Sequence, residues 1–106
     1  MDSDRELLEL AAKAAGIEGE IKKTFGGWPC VMRKNGHAWQ PMHDDGDALR
    51  LAVDLDFDIE LTEDAAWAGG INSQNHQLYE WHRNCKSAAT RRAIVRAAAS
   101  IGKAMP

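Results

Sequence analysis

A chain of 106 residues with net charge −3, 44% hydrophobic and 27% charged, has room for one small core, so a single domain over 1–106 is expected. This balance excludes collagen-like and disordered classes, and no apolar run approaches the roughly 20 residues that span a bilayer. The opening MDSDRELLEL is acidic and then amphipathic, whereas a secretory signal starts basic and turns apolar, so a cytoplasmic protein with no membrane partner is expected. In that compartment Cys30 and Cys85 are expected to be reduced, largely buried thiols.

In chain order, the first element is a helix. Ser3 and Glu6 have capping-box spacing, Leu7, Leu10, Ala11 and Ala14 form an apolar stripe, and Gly16 can end the helix in the left-handed conformation. Residues 20–41 read as extended. Asn35 and Gly36 suit a two-residue hairpin turn, which would place Met32 opposite Trp39 and Cys30 opposite Pro41, with Trp28 further along the same face. Pro29 cannot donate to a ladder, so its strand should lie at an edge or start late.

A second helix is expected from Asp44 or Asp45, where aspartates cap orphan amides and meet the positive end of the helix dipole. Its buried stripe is Ala48, Leu51, Ala52 and Leu55, with Asp47, Arg50 and Asp54 outward and Arg50 set to pair with Asp54. Residues 55–61 alternate apolar and acidic, predicting a strand with Phe57, Ile59 and Leu61 inward and Asp56, Asp58 and Glu60 outward. Residues 62–76, with Gly69, Gly70, Asn72, Ser73 and Asn75, read as a loop. Residues 76–83 fit either a strand or a helix, and the strand is preferred. The last helix runs from near Ser87 to near Gly102, with a narrow seam of Ile94, Ala97, Ala98 and Ile101. These elements predict an α+β fold: a small, mostly antiparallel sheet of 3–4 strands with about three helices, in the order α-β-β-α-β-β-α.

Charge is segregated along the chain. Residues 44–64 carry nine acids and one base, while after Glu80 there are six bases and no acid. Once folded, these fields either neutralise each other or form opposite faces.

Two stretches, WQPMHDDGDALRLAVDL (39–55) and AATRRAIVRAAASIGKAMP (88–106), together with ELLELAAKAAGI near the start, resemble a group of small proteins from tailed phages and prophages. Trp39 and Pro41, the acidic helix start and the late Ala-Arg-rich helix are also similar to the phage α/β/α-sandwich proteins. The resemblance covers roughly half the chain and implies an accessory protein without an assigned activity, working in the host cytoplasm. Residues 30–36 and 62–86 depart from that pattern.

No catalytic constellation emerges from the residues. Cys30, His37, His43, His76, His82 and Cys85 are the candidate metal ligands, but Cys30 and His37 are too far apart to supply the second close pair of a structural zinc site. Asp44, Asp45 and Asp47 are accounted for as capping residues, and Asp56, Asp58 and Glu60 as a solvated strand face. No nucleophile elbow is present, and Gly26, Gly27, Gly69 and Gly70 lack the flanks of a phosphate loop. The sequence therefore points to a non-enzymatic, cofactor-free protein that binds a host or phage protein. Trp67, Trp81 and Tyr79 are the candidate partner-binding residues, Trp67 serving as a lid or an anchor. Self-association through the alanine-rich final helix is a second route. The alternative is nucleic-acid binding through Arg91, Arg92, Arg96 and Lys103, against which the acidic balance stands.

Overall fold

The computed structural model describes residues 3–70, 78–81 and 85–106. The chain is of the α+β class, the described residues forming three helices and two separate three-stranded antiparallel sheets in the order α-β-β-β-α-β-β-β-α.

Helix α1 (Asp4–Ala15) starts at Ser3, whose side chain accepts from the Glu6 N–H, and stops at Gly16 with φ 71°. Its buried residues are Leu7, Leu8, Ala11 and Ala12 rather than the stripe through Leu10 and Ala14. The buried face is rotated because the helix is wedged between two elements, β2 and α3.

Strands β1 (Glu20–Lys23), β2 (Pro29–Met32) and β3 (Ala38–Trp39) form the first sheet, with β2 in the centre. Pro29 is the first residue of its strand, where the missing N–H is tolerated, but that strand is not at an edge. Both hairpins close by the same device. Thr24 N–H donates to Trp28 O and Gly27 N–H to Thr24 O, just as Arg33 N–H donates to His37 O and Gly36 N–H to Arg33 O. Gly27 at φ 91° and Gly36 at φ 87° end three-residue loops, each a turn closed by a left-handed glycine. The expected two-residue turn at Asn35 and Gly36 is thus one residue too short. The longer loop shifts the register so that Val31, not Met32, faces Trp39, and both are buried.

Helix α2 (Asp45–Asp54) is capped by Asp44 and buries Asp47, Ala48, Leu51 and Ala52. Asp56, with φ 55°, turns the chain into β4 (Phe57–Leu61). The β4 alternation is real, but only Phe57 on its apolar face is half-buried. Ile59 and Leu61 were expected inward and are 38% and 64% exposed, because β4 is an edge strand that α3 reaches only in part.

The predicted loop over 62–76 contains a strand instead, β5 (Ala65–Gly70), in the centre of the second sheet. Thr62 N–H donates to Ala65 O while the Thr62 hydroxyl also bonds Ala65, folding β5 back on β4. Strand β6 (Leu78–Trp81) completes this sheet, in line with the strand preferred for 76–83, of which 76, 77, 82 and 83 lie outside the described residues.

Helix α3 (Lys86–Ala104) organises the core. It is capped by the Cys85 Sγ, which accepts from the Ala88 N–H at 3.4 Å, so it begins before the expected Ser87. Cys85 is accordingly exposed, and only Cys30 is a buried thiol. The seam of α3 is broad: Ala89, Ala93, Ile94, Val95, Ala97, Ala98, Ala99 and Gly102 are all buried, since α1, α2, β5 and β6 surround it. Gly102 does not end the helix. It lies at the α1 crossing, where a Cβ would stand 2.8 Å from the Leu10 carbonyl carbon. Ala66 and Ala68 of β5 meet the α3 alanines in one core cluster with Leu7, Leu8, Val31, Trp39 and Leu51. No helix among the described residues is long and apolar enough to cross a membrane.

Candidate functional site

Two regions combine polar groups with exposed or concave surface. The first lies where the β2–β3 hairpin meets the start of α2, and its centre is Asp47, only 1% exposed. This residue was expected to point outward. Its place on the helix, four residues before Leu51, puts it instead at the border of the buried stripe, where it collects donors from three directions. The Gln40 N–H donates to Oδ2 at 2.9 Å, His37 Nε2 lies 2.9 Å from Oδ1, and Arg50 Nη2 donates to Oδ1 at 2.8 Å. An ionised carboxylate only accepts, so Nε2 is the nitrogen of His37 that carries the proton. Burial by itself would push the Asp47 carboxyl up, but the Gln40, Arg50 and His37 hydrogen bonds outweigh it and hold the group below its ordinary range. Arg50 therefore turns to Asp47, and to Asp44 at 4.0 Å, rather than to the expected Asp54.

The network continues outward. Trp28 Nε1 donates to Gln40 Oε1 at 2.7 Å, and the Trp28 ring stacks on His43 with centroids 4.3 Å apart. Burial lowers the His43 pKa, the nearby Arg91 guanidinium lowers it further, and Asp4 opposes both. His43 should therefore titrate below 6.5 when followed by its ring-proton NMR shift. The folded state prefers the neutral ring, so stability is complete above 6.5 and declines as pH falls from there toward the folded midpoint. A midpoint at or above 6.5 would contradict this placement of the ring.

Beside Asp47 the surface opens into a cleft of about 350 Å³ lined by residues of the β2–β3 loop, α2 and the end of α1. A shallower neighbour of about 280 Å³ shares Arg33 and Asn35 with it.

The second region is the outer face of the sheet formed by β4, β5 and β6. Trp67 pairs with Glu60 on one side and Tyr79 on the other, and Trp81 pairs with Ala65. Strand alternation then puts Trp67, Trp81, Glu60 and Asp58 on one face, opposite the Ala66 and Ala68 face that packs on α3. Trp67 is 37% and Trp81 56% exposed, whereas Trp39 is in the core and Trp28 is half-buried. The three residues singled out in the sequence are thus neighbours in the register, Tyr79 and Trp81 on the expected strand and Trp67 on a strand rather than in the expected loop.

The basic residues of α3 are placed differently. Arg91 bonds Asp45 at 2.6 Å and the Met42 carbonyl at 2.9 Å, Arg92 bonds Asp4 at 3.0 Å, and Arg96 is paired with Glu80. Of these pairs only Arg91–Asp45 joins the acidic stretch 44–64 to the basic one, Asp4 and Glu80 lying outside that stretch, and of the four bases in question Lys103 alone has no ion pair among the described residues. Of the candidate metal ligands, His76 and His82 lie outside the described residues, and the described ones contain no metal-holding group of three or more His, Cys, Asp or Glu. No family model, curated protein or solved structure matches the chain.

Proposed function

We propose that the protein is a non-enzymatic binding module that engages a protein partner through the outer face of the β4–β5–β6 sheet. The observation behind this reading is the pairing of exposed Trp67 and Trp81 with unneutralised carboxylates on one sheet face. Between residues 51 and 81 the chain has seven acids and no Lys or Arg. Glu80 is taken up by Arg92 and Arg96, but Asp58 and Glu60 make no ion pair among the described residues. Indole faces attract Arg and Lys side chains, and adjacent carboxylates add Coulomb attraction, so the complementary partner is a cationic polypeptide segment.

The resemblance to small tailed-phage proteins supplies the setting: a phage accessory protein acting on a host protein or defence component in the host cytoplasm. Binding nucleic acid through α3 would first require breaking the Arg91, Arg92 and Arg96 pairs, so it is the weaker reading. The probe is an extended peptide alternating arginine and alanine, with its glutamate counterpart as control. The arginine peptide should bind, weaken about tenfold with Trp67→Ala or Trp81→Ala, and lose salt dependence with Asp58→Asn combined with Glu60→Gln. Equal binding of both peptides, or indifference to the tryptophan substitutions, would overturn the assignment.

A further inference from the structure

The cleft beside Asp47 is independent of that sheet face, and it sets two guanidiniums, Arg33 and Arg50, beside two carboxylates, Asp47 and Asp54. Arg33, His37 and Arg50 line one cavity with Asn35, above an apolar floor that includes Ile17, Trp39 and Leu51. The volume of about 350 Å³ is in the range of small-molecule sites.

Two of the donors are held from below by the same buried group. Asp47 Oδ1 bonds both His37 Nε2 and Arg50 Nη2, while Oδ2 is occupied by the Gln40 N–H. The carboxylate, 1% exposed, thereby has both oxygens engaged from within the protein, and it fixes His37 of the hairpin and Arg50 of its own helix. His37 and Arg50 remain 44% and 66% exposed, and both line the cleft. The Asn35 Oδ1 accepts from the His37 N–H, which leaves its amide NH2 group for other partners. Arg33 adds a second guanidinium and has no ion pair or side-chain hydrogen bond among the described residues.

We propose that this cleft binds a small organic phosphate monoester. Arg33 and Arg50 hold the oxyanion, a planar fork being suited to phosphate oxygens, and the Asn35 amide NH2 group adds a hydrogen bond. The organic body lies over the apolar floor. Asp47 is a positioning residue, and Asp54 at the rim is the one carboxylate on the cleft that no cation neutralises among the described residues. Its charge opposes an anion, which makes it a useful control.

The test is calorimetric titration of the intact chain with phenyl phosphate and adenosine 5′-monophosphate, with adenosine and inorganic phosphate as references. At least one organic phosphate should bind at least about tenfold tighter than either reference, because each reference lacks one half of the recognition. Arg33→Ala, which removes no ion pair or side-chain hydrogen bond among the described residues, should weaken binding about tenfold with the fold intact, and Asp54→Asn should tighten it several-fold. Trp67→Ala should leave it unchanged, so a failure here and a failure of the sheet-face reading are distinguishable. The proposal is overturned by no saturation up to about 10 mM of either organic phosphate, or by binding that Arg33→Ala does not weaken.

Discussion

Gly102→Ala is expected to lower the thermal midpoint by about 10–20 °C, or about 2–3 kcal/mol for a chain of this size. Two effects of opposite sign compete. In an isolated helix the change is favourable by about 1 kcal/mol, because alanine has less backbone entropy to lose than glycine. In α3 the added methyl has no room: it would sit 2.8 Å from the Leu10 carbonyl carbon and 3.2 Å from the Leu10 Cα. These are backbone atoms of α1, so no side chain can rotate away and the two helices must separate. That separation loosens packing at Leu7, Ala11, Ala98 and Ala99, all in the same cluster. Strain of this kind exceeds the propensity gain. Differential scanning calorimetry decides the matter, and a midpoint that rises by a few degrees would mean the helices do not cross this closely.

Asp47→Ala should destabilise the protein by about 3 kcal/mol, and Asp47→Asn by about half as much. Alanine removes at once the acceptor for the Gln40 N–H and His37, which tie the hairpin to α2, and the partner of Arg50 within the helix. His37 and Arg50 are exposed enough to be rehydrated, so the loss stays below that of a fully buried ion pair. The Gln40 amide is not so easily rescued. Asparagine keeps the shape and one accepting oxygen, but its amide group donates where the carboxylate accepted. The carboxyl is held below its ordinary value of 3.8, so its contribution is complete above that pH and is lost as pH falls through 3.8 toward the folded value. Chemical denaturation between neutrality and acid should show wild type converging on the asparagine variant at low pH. Parallel curves at every pH would mean the carboxylate contributes no charge-dependent stability.

Features whose causes are local were legible in the sequence. The Ser3 cap, the Gly16 stop and the Asp44 cap are each determined by a few neighbouring residues, and all stand where the spacing puts them. The errors arise where residue type was allowed to outweigh position. Asp47 read as outward because it is charged, although its offset from Leu51 and Ala48 sets it beside the buried stripe. The segment AAWAGG reads as a loop because Gly69 and Gly70 lead into Asn72, Ser73 and Asn75, yet the pairing of β5 on both sides and the small residues of α3 override that signal. An alanine-rich final helix was the available signal, since it needs a partner surface of equally small side chains. The Asn35 and Gly36 pair suggested the right hairpin and the wrong loop length; the matching glycine at Gly27, three residues after Thr24 as Gly36 is after Arg33, was the cue. The cleft was beyond reach because Arg33, His37 and Arg50 converge only through a tertiary contact.

The alanine layer between β5 and α3 also bears on how the molecule comes apart. A buried leucine can exchange rotamers and let a core soften before it opens, but alanine has no rotamer to release. Ala66 and Ala68 of β5 and the α3 alanines of the same cluster are therefore either in contact or not, with few intermediate packings between. This layer ties the second sheet to the helix that also carries α1, so the two should melt as one cooperative unit. The β1–β2–β3 sheet reaches the same core mainly through Val31 and Trp39, and is the part of the fold with the means to loosen first.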